Sequence, residues 1–191
     1  MRKKVIDFKK ASQALAEGGV VAYPTEAVYG LGCDPFNETA VMRLLKIKKR
    51  DVSKGLILIA SDWDQIKPLV KLSKLGKRRK EILQNIHASW PGAVTWILPA
   101  TKKVAKWITG KYDAVAIRIS AHEVVQKLCK SYGGPIVSTS ANIAGTPPIK
   151  KAKEINEQFS ESLDFIIDAK VGKLKKPTII CDALTGNVVR E

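Results

Sequence analysis

The longest unbroken apolar runs in this chain are the length of one β-strand, and that limits the fold more than any other feature. Leu56-Ile57-Leu58-Ile59-Ala60 is typical, and no run approaches the roughly 20 residues of a membrane-spanning helix. Similar runs are read as strands at Val20–Tyr23, Val94–Leu98, Ala114–Ile119, Ile136–Thr139, Phe165–Ile167 and Thr178–Cys181. Between them apolar residues return at helical spacing. Phe8, Ala11, Ser12 and Leu15 mark a helix stopped by Gly18-Gly19, and Asn37 caps another carrying Val41, Leu44 and Leu45. A helix start is read at Ser61-Asp62, and further helices at Lys77–Ile86, Glu123–Ser131 and Ala152–Phe159. Strands alternating with helices specify an α/β fold with a largely buried sheet. Without repeats or a linker, the 191 residues are expected to form one domain, 1–191.

Composition narrows the function. The net charge is +15, with basic clusters at Lys46–Arg50, Lys74–Lys80, Lys102–Lys106, Lys150–Lys153 and Lys170–Lys176. Such a field favours phosphate-bearing partners, although a solubilising surface has the same composition. Three separated cysteines (Cys33, Cys129, Cys181) with no CxxC fit a reducing cytoplasm, and no apolar stretch follows the basic N-terminus. With only His87 and His122 besides, a zinc site is not expected; metal ligands are otherwise unassigned.

Familiar nucleotide loops are missing. There is no GxxxxGK[ST], and Gly30-Leu31-Gly32-Cys33-Asp34-Pro35 lacks the third glycine of a dinucleotide loop. Four other segments carry polar chemistry at strand ends. Tyr23–Gly32 offers the Thr25 hydroxyl, the Tyr29 ring and glycines that permit close approach. Lys48 and Arg50 point the same way if the chain there is extended, and would neutralise a polyphosphate; taken alone, an ordinary cationic helix end accounts for them better. Pro135–Gly145 runs a strand into Ser138, Thr139, Ser140 and Asn142, a set able to bind phosphate or ribose oxygens or to form a local turn. Arg118 sits in an apolar strand, where it must meet either an internal carboxylate or a ligand anion. No GxSxG elbow supports a serine nucleophile.

Taken in order, these segments resemble the YrdC-like family of threonylcarbamoyl-AMP synthases across nearly the whole chain. Pro24–Gly32 is similar to the family's PTET-YGLG segment, with Ala27 in place of a threonine. Lys48-x-Arg50 with Lys54-Gly55-Leu56, Trp90-Pro91-Gly92-x-x-Thr95, Ala116–Ser120 and Ser138–Gly145 match its later motifs, and Pro177–Asp182 resembles PSTVVD with Ile179 in place of a hydroxyl residue. The resemblance implies a twisted, mixed sheet with a concave basic face. It implies that ATP, L-threonine and bicarbonate are condensed with the help of Mg²⁺. The product would be threonylcarbamoyl-AMP, for threonylcarbamoyladenosine modification of tRNA next to the anticodon. Lys48, Arg50, Ser140 and Asn142 would form the catalytic set. Thr25, Tyr29, Lys54, Thr95, Arg118, Ser138 and Thr178 would line the nucleotide and substrate pocket. Implied partners are tRNA or double-stranded RNA and the proteins that transfer the threonylcarbamoyl group. The rival reading is a non-catalytic binder of structured RNA in tRNA or ribosome maturation.

Overall fold

A computed structural model describes residues 6–143, 145–175 and 178–190. Ala144, Lys176 and Pro177, which fall in segments singled out above, lie outside the described residues. The elements run α1 (Phe8–Ala16), β1 (Val21–Pro24), β2 (Tyr29–Gly32), α2 (Glu38–Lys48), β3 (Ile57–Ala60), α3 (Trp63–Ile66), α4 (Arg79–Ser89), β4 (Val94–Pro99), α5 (Lys106–Thr109), β5 (Ala114–Ile119), α6 (Glu123–Tyr132), β6 (Ile136–Ser140), α7 (Ala152–Phe159), β7 (Phe165–Ile166), β8 (Ile179–Asp182) and β9 (Val188–Arg190). No described helix is long and apolar enough to cross a membrane.

The strands form one mixed sheet in the order β7-β1-β2-β6-β3-β5-β4-β8-β9. Alternation along the strands sends side chains to two faces, and the faces differ in cover. One carries Ala22, Tyr29, Leu31, Leu58, Ile117 and Val137, packed under α2, α4 and α7 through Val41, Leu44, Ile82, Ile86 and Ile155. On the other, α1 and α6 cover only part: Val21, Tyr23, Ile59 and Ile136 lie beneath Ala11, Leu15, Val125 and Leu128. The same face continues past these helices. Ile59 pairs with Arg118, Ile57 with Ser138, and Gly30 with Ser140. Continuing the β4–β5 register sets Thr95 beside Arg118, while Thr95 pairs with Ile180 and Ile180 with Arg190. Half of one sheet face is therefore left without a helix, and its residues are mostly polar.

Two local expectations are corrected. Tyr29–Gly32, to which the apolar pattern assigns no strand, is a strand. Gly32 is required by its neighbours: a Cβ there would lie 2.3 Å from the Val137 carbonyl and 2.9 Å from the Tyr23 ring. The second concerns Lys48 and Arg50. The chain there is not extended. Helix α2 runs through Lys48 and ends on Lys49 in the left-handed conformation (φ 50°), after which the Arg50 N–H bonds back to the Leu45 carbonyl at 3.0 Å. A run of good helix formers, Leu44–Lys49, keeps the helix intact to its cap.

Candidate active site

The uncovered half-face is the floor of a cavity of about 300 Å³. Thr25, Tyr29, Arg50, Thr95, Arg118, Ser138, Ser140 and Thr178 line it, joining eight of the expected residues, and Arg190 completes the rim. Three guanidiniums thus converge. Arg50 is held below its ordinary pKa by burial, and Arg190 by burial and then by Arg50 and Arg118. The charge on Arg190 is thus costly beside the other two guanidiniums, and an anion entering the cavity relieves that cost.

Their internal partners differ. Arg50 donates Nη2 to the Gly55 carbonyl at 3.0 Å, while its buried Nε has no partner. Among the described residues Arg190 reaches the Thr178 carbonyl, at 3.4 Å. Arg118 is 5% exposed and gives Nη1 to the Glu26 carboxylate at 2.5 Å. Glu26 also accepts from Ser120 Oγ at 2.7 Å and the Ala121 N–H at 3.1 Å. Burial pushes its carboxyl up, but Arg118, Ser120 and backbone N–H donors outweigh that and hold it below the usual range. Arg118 thus meets the internal carboxylate that one reading requires, and it also lines the cavity, where the other would have it meet a ligand.

Lys48 and Asn142 are not in the lining. Lys48 is 4% exposed and its ammonium donates to the Ser140 carbonyl, to the Asn142 carbonyl at 2.8 Å and to Asn142 Oδ1 at 3.4 Å. Burial, then Arg50, pulls its pKa down to about 8. Asn142 donates Nδ2 to the Thr146 carbonyl at 2.7 Å and accepts the Ser140 hydroxyl at 2.6 Å. These two side chains build the loop that presents Ser140. Tyr29 has a similar part: its hydroxyl donates to the Ala169 carbonyl at 2.6 Å and accepts the Ala169 N–H at 3.1 Å, so its tip anchors the segment beyond β7. Thr25 Oγ1 closes its own turn on the Val28 carbonyl at 2.8 Å. Thr95 Oγ1 is buried without a partner, and Lys54 is exposed, outside the lining.

The family described as telomere recombination, Sua5/YciO/YrdC, matches residues 13–191. The chain belongs to that family. The threonylcarbamoyl-AMP synthase of Stenotrophomonas maltophilia (strain K279a) is 48% identical over 98% of this chain and 99% of its own. The protein of the same name from Xanthomonas campestris pv. campestris (strain B100) is 49% identical, with 97% of each covered. Among solved structures, P. abyssi Sua5 complexed with L-threonine superposes with a TM-score of 0.84 at 34% identity, over 92% of this chain and 50% of that one. This chain therefore spans about half the length of that Sua5. E. coli YciO superposes at 0.82 with 26% identity, over 96% and 88%. The twisted mixed sheet is thus the Sua5/YciO/YrdC fold, and the concave basic face is its uncovered half.

Two residues of the site in this Sua5/YciO/YrdC chain escaped the sequence reading, Arg190 in the lining and Glu26 beside Arg118. Arg190 lies on a three-residue strand with no apolar alternation to announce it. Glu26 had one signal, the need of Arg118 for a carboxylate. The residues present do not fit a protein-held Mg²⁺: Glu26 is committed to three donors. Among the described residues no cluster of three or more His, Cys, Asp or Glu could hold a metal.

Proposed function

We infer that this chain is an L-threonylcarbamoyladenylate synthase, a nucleotidyltransferase that condenses L-threonine, bicarbonate and ATP to threonylcarbamoyl-AMP and pyrophosphate. The observation that carries this reading is the convergence of Arg50, Arg118 and Arg190 with the Ser138 and Ser140 hydroxyls on a sheet face that no helix covers. That set binds a polyanion beside a second, smaller anion and supplies no nucleophile. The reaction needs none. The threonine amine and bicarbonate form a carbamate with loss of water, a carbamate oxygen attacks the α-phosphorus, and pyrophosphate leaves. Catalysis then consists of alignment and neutralisation of moving charge.

In this reading Arg50 and Arg190, at the rim, take the phosphates and stabilise the departing pyrophosphate. Arg118, deepest in the sheet, meets the threonine carboxylate. Ser138, Ser140, Thr95 and Thr178 offer hydroxyls to the nucleotide. Lys48 and Asn142 hold the loop that carries Ser140. Any Mg²⁺ arrives on the triphosphate as part of the substrate. The domain works in the cytoplasm and supplies the proteins that transfer the threonylcarbamoyl group to tRNA; its +15 charge suits contact with tRNA itself. The test is pyrophosphate release with each reactant omitted in turn, with the product identified by mass. Release that depends jointly on threonine and bicarbonate is expected, and equal release without threonine refutes the reading.

A further inference from the structure

The three guanidiniums of the cavity are not electrically equal. Arg118 alone has a carboxylate against it, at 2.5 Å, with both side chains nearly buried. Among the described residues, neither Arg50 nor Arg190 has a carboxylate partner. A buried charge opposed by its counter-ion attracts a further anion weakly, whereas an unopposed one attracts it strongly, and the difference grows in a low-dielectric site. Glu26 is also fixed in place. Ser120 Oγ and the Ala121 N–H hold its other oxygen, and its own carbonyl accepts the Leu174 N–H at 3.0 Å. Gly172 packs so closely that a Cβ there would lie 2.5 Å from the same carbonyl. The 172–174 segment thus holds the Glu26 backbone, and Ser120 and Ala121 hold its carboxylate against Arg118.

From this arrangement we propose that Glu26 is the positioning residue that sorts the two anionic reactants. It cancels most of the Arg118 charge and leaves that guanidinium fit for a monoanionic carboxylate, so that polyphosphate goes to Arg50 and Arg190. The assignment of anions rests on the synthase reading; the sorting of charge does not. It also explains why a site for ATP would keep a carboxylate against one of its arginines, where on charge alone it weakens phosphate binding.

The experiment is calorimetric titration of the purified chain with inorganic pyrophosphate, with and without threonine. Glu26→Gln should bind pyrophosphate about tenfold more tightly than the unmodified chain. Threonine and pyrophosphate should also become mutually exclusive, because both now compete for Arg118. A purely structural glutamate would give weaker binding of both ligands. Folded Glu26→Gln with unchanged or weakened pyrophosphate affinity overturns the proposal. If that variant does not fold, Glu26→Gln combined with Arg118→Gln removes both buried charges together. Its pyrophosphate affinity should stay within about twofold of the original, since the net cavity charge is unchanged. A fall as large as that of Arg118→Gln alone overturns the proposal. Tightened binding in a chain that turns over no threonine would refute the synthase reading and leave the sorting intact.

Discussion

Replacing Lys48 with methionine separates a loop-building role from a catalytic one. The side chain keeps its length and loses three donors, all spent on oxygens of Ser140 and Asn142. Hydrogen bonds to a charged group contribute about 1.5–3 kcal/mol each, and a buried carbonyl left unmet costs about 1–3 kcal/mol. Against this, methionine removes the desolvation penalty of an almost fully buried ammonium, itself several kcal/mol. The net loss should be about 2–4 kcal/mol, or roughly 5–15 °C in melting temperature for a chain of this size. Turnover should fall too, because Ser140 is no longer held at the cavity edge, and amide exchange in residues 140–146 should rise. The assays are thermal melting, pyrophosphate release and hydrogen exchange on the same preparation. A wild-type melting temperature combined with about a hundredfold loss of kcat would show that the ammonium acts on substrate and refute this account.

Arg50→Ala should show the opposite balance, with roughly 10²–10³ lost in rate and little stability, while Lys49→Ala on the exposed helix cap should change neither; equal rate losses at both positions would count against a phosphate role for Arg50. Raising pH should weaken activity with a midpoint near the Lys48 value of about 8, because deprotonation removes the charge that strengthens its bonds to the Ser140 and Asn142 carbonyls. Stability should move the other way. A lysine whose folded pKa is depressed burdens the folded state below about 8, and the burden lifts as pH rises from there toward its unfolded value of about 10.4, so a melting temperature falling over that window would contradict the assignment.

Much of the fold was legible in the sequence because burial leaves a periodic trace. Strand Ala114–Ile119 and helix Ala152–Phe159 begin and end where their apolar patterns do, and Asn37 caps its helix through the Ala40 N–H as its residue type foretells. Strand β2 was hidden because its two glycines weaken strand propensity, and at Gly32 the Val137 carbonyl and the Tyr23 ring leave no room for a side chain. At the site, residue identity was legible while geometry was not. Lys48 and Arg50 were paired through an extended chain that does not exist; a left-handed cap separates a buried lysine from a cavity-facing arginine. Tyr29, expected in the pocket, does line it, but its hydroxyl is taken up by Ala169, a residue far along the chain that no local pattern connects to it. Arg118 was the most informative residue, since a guanidinium in an apolar strand demands an anion whatever the fold.

The cavity draws its walls from Thr25 near one end of the chain to Arg190 near the other, across strands from the middle of the sheet to its β9 edge. No contiguous fragment contains it. Affinity for substrate can therefore develop only when long-range pairing is complete, late in a folding process dominated by distant contacts. Once substrate is bound, opening any one of these strands must break the complex. Ligand at a hundred times its dissociation constant would add about 2.7 kcal/mol, and that increment would be shared by the sheet as a whole instead of being confined to a flap. Metabolite supply and the lifetime of the folded chain are thereby tied: when threonine and ATP are abundant, the enzyme that uses them is also hardest to unfold.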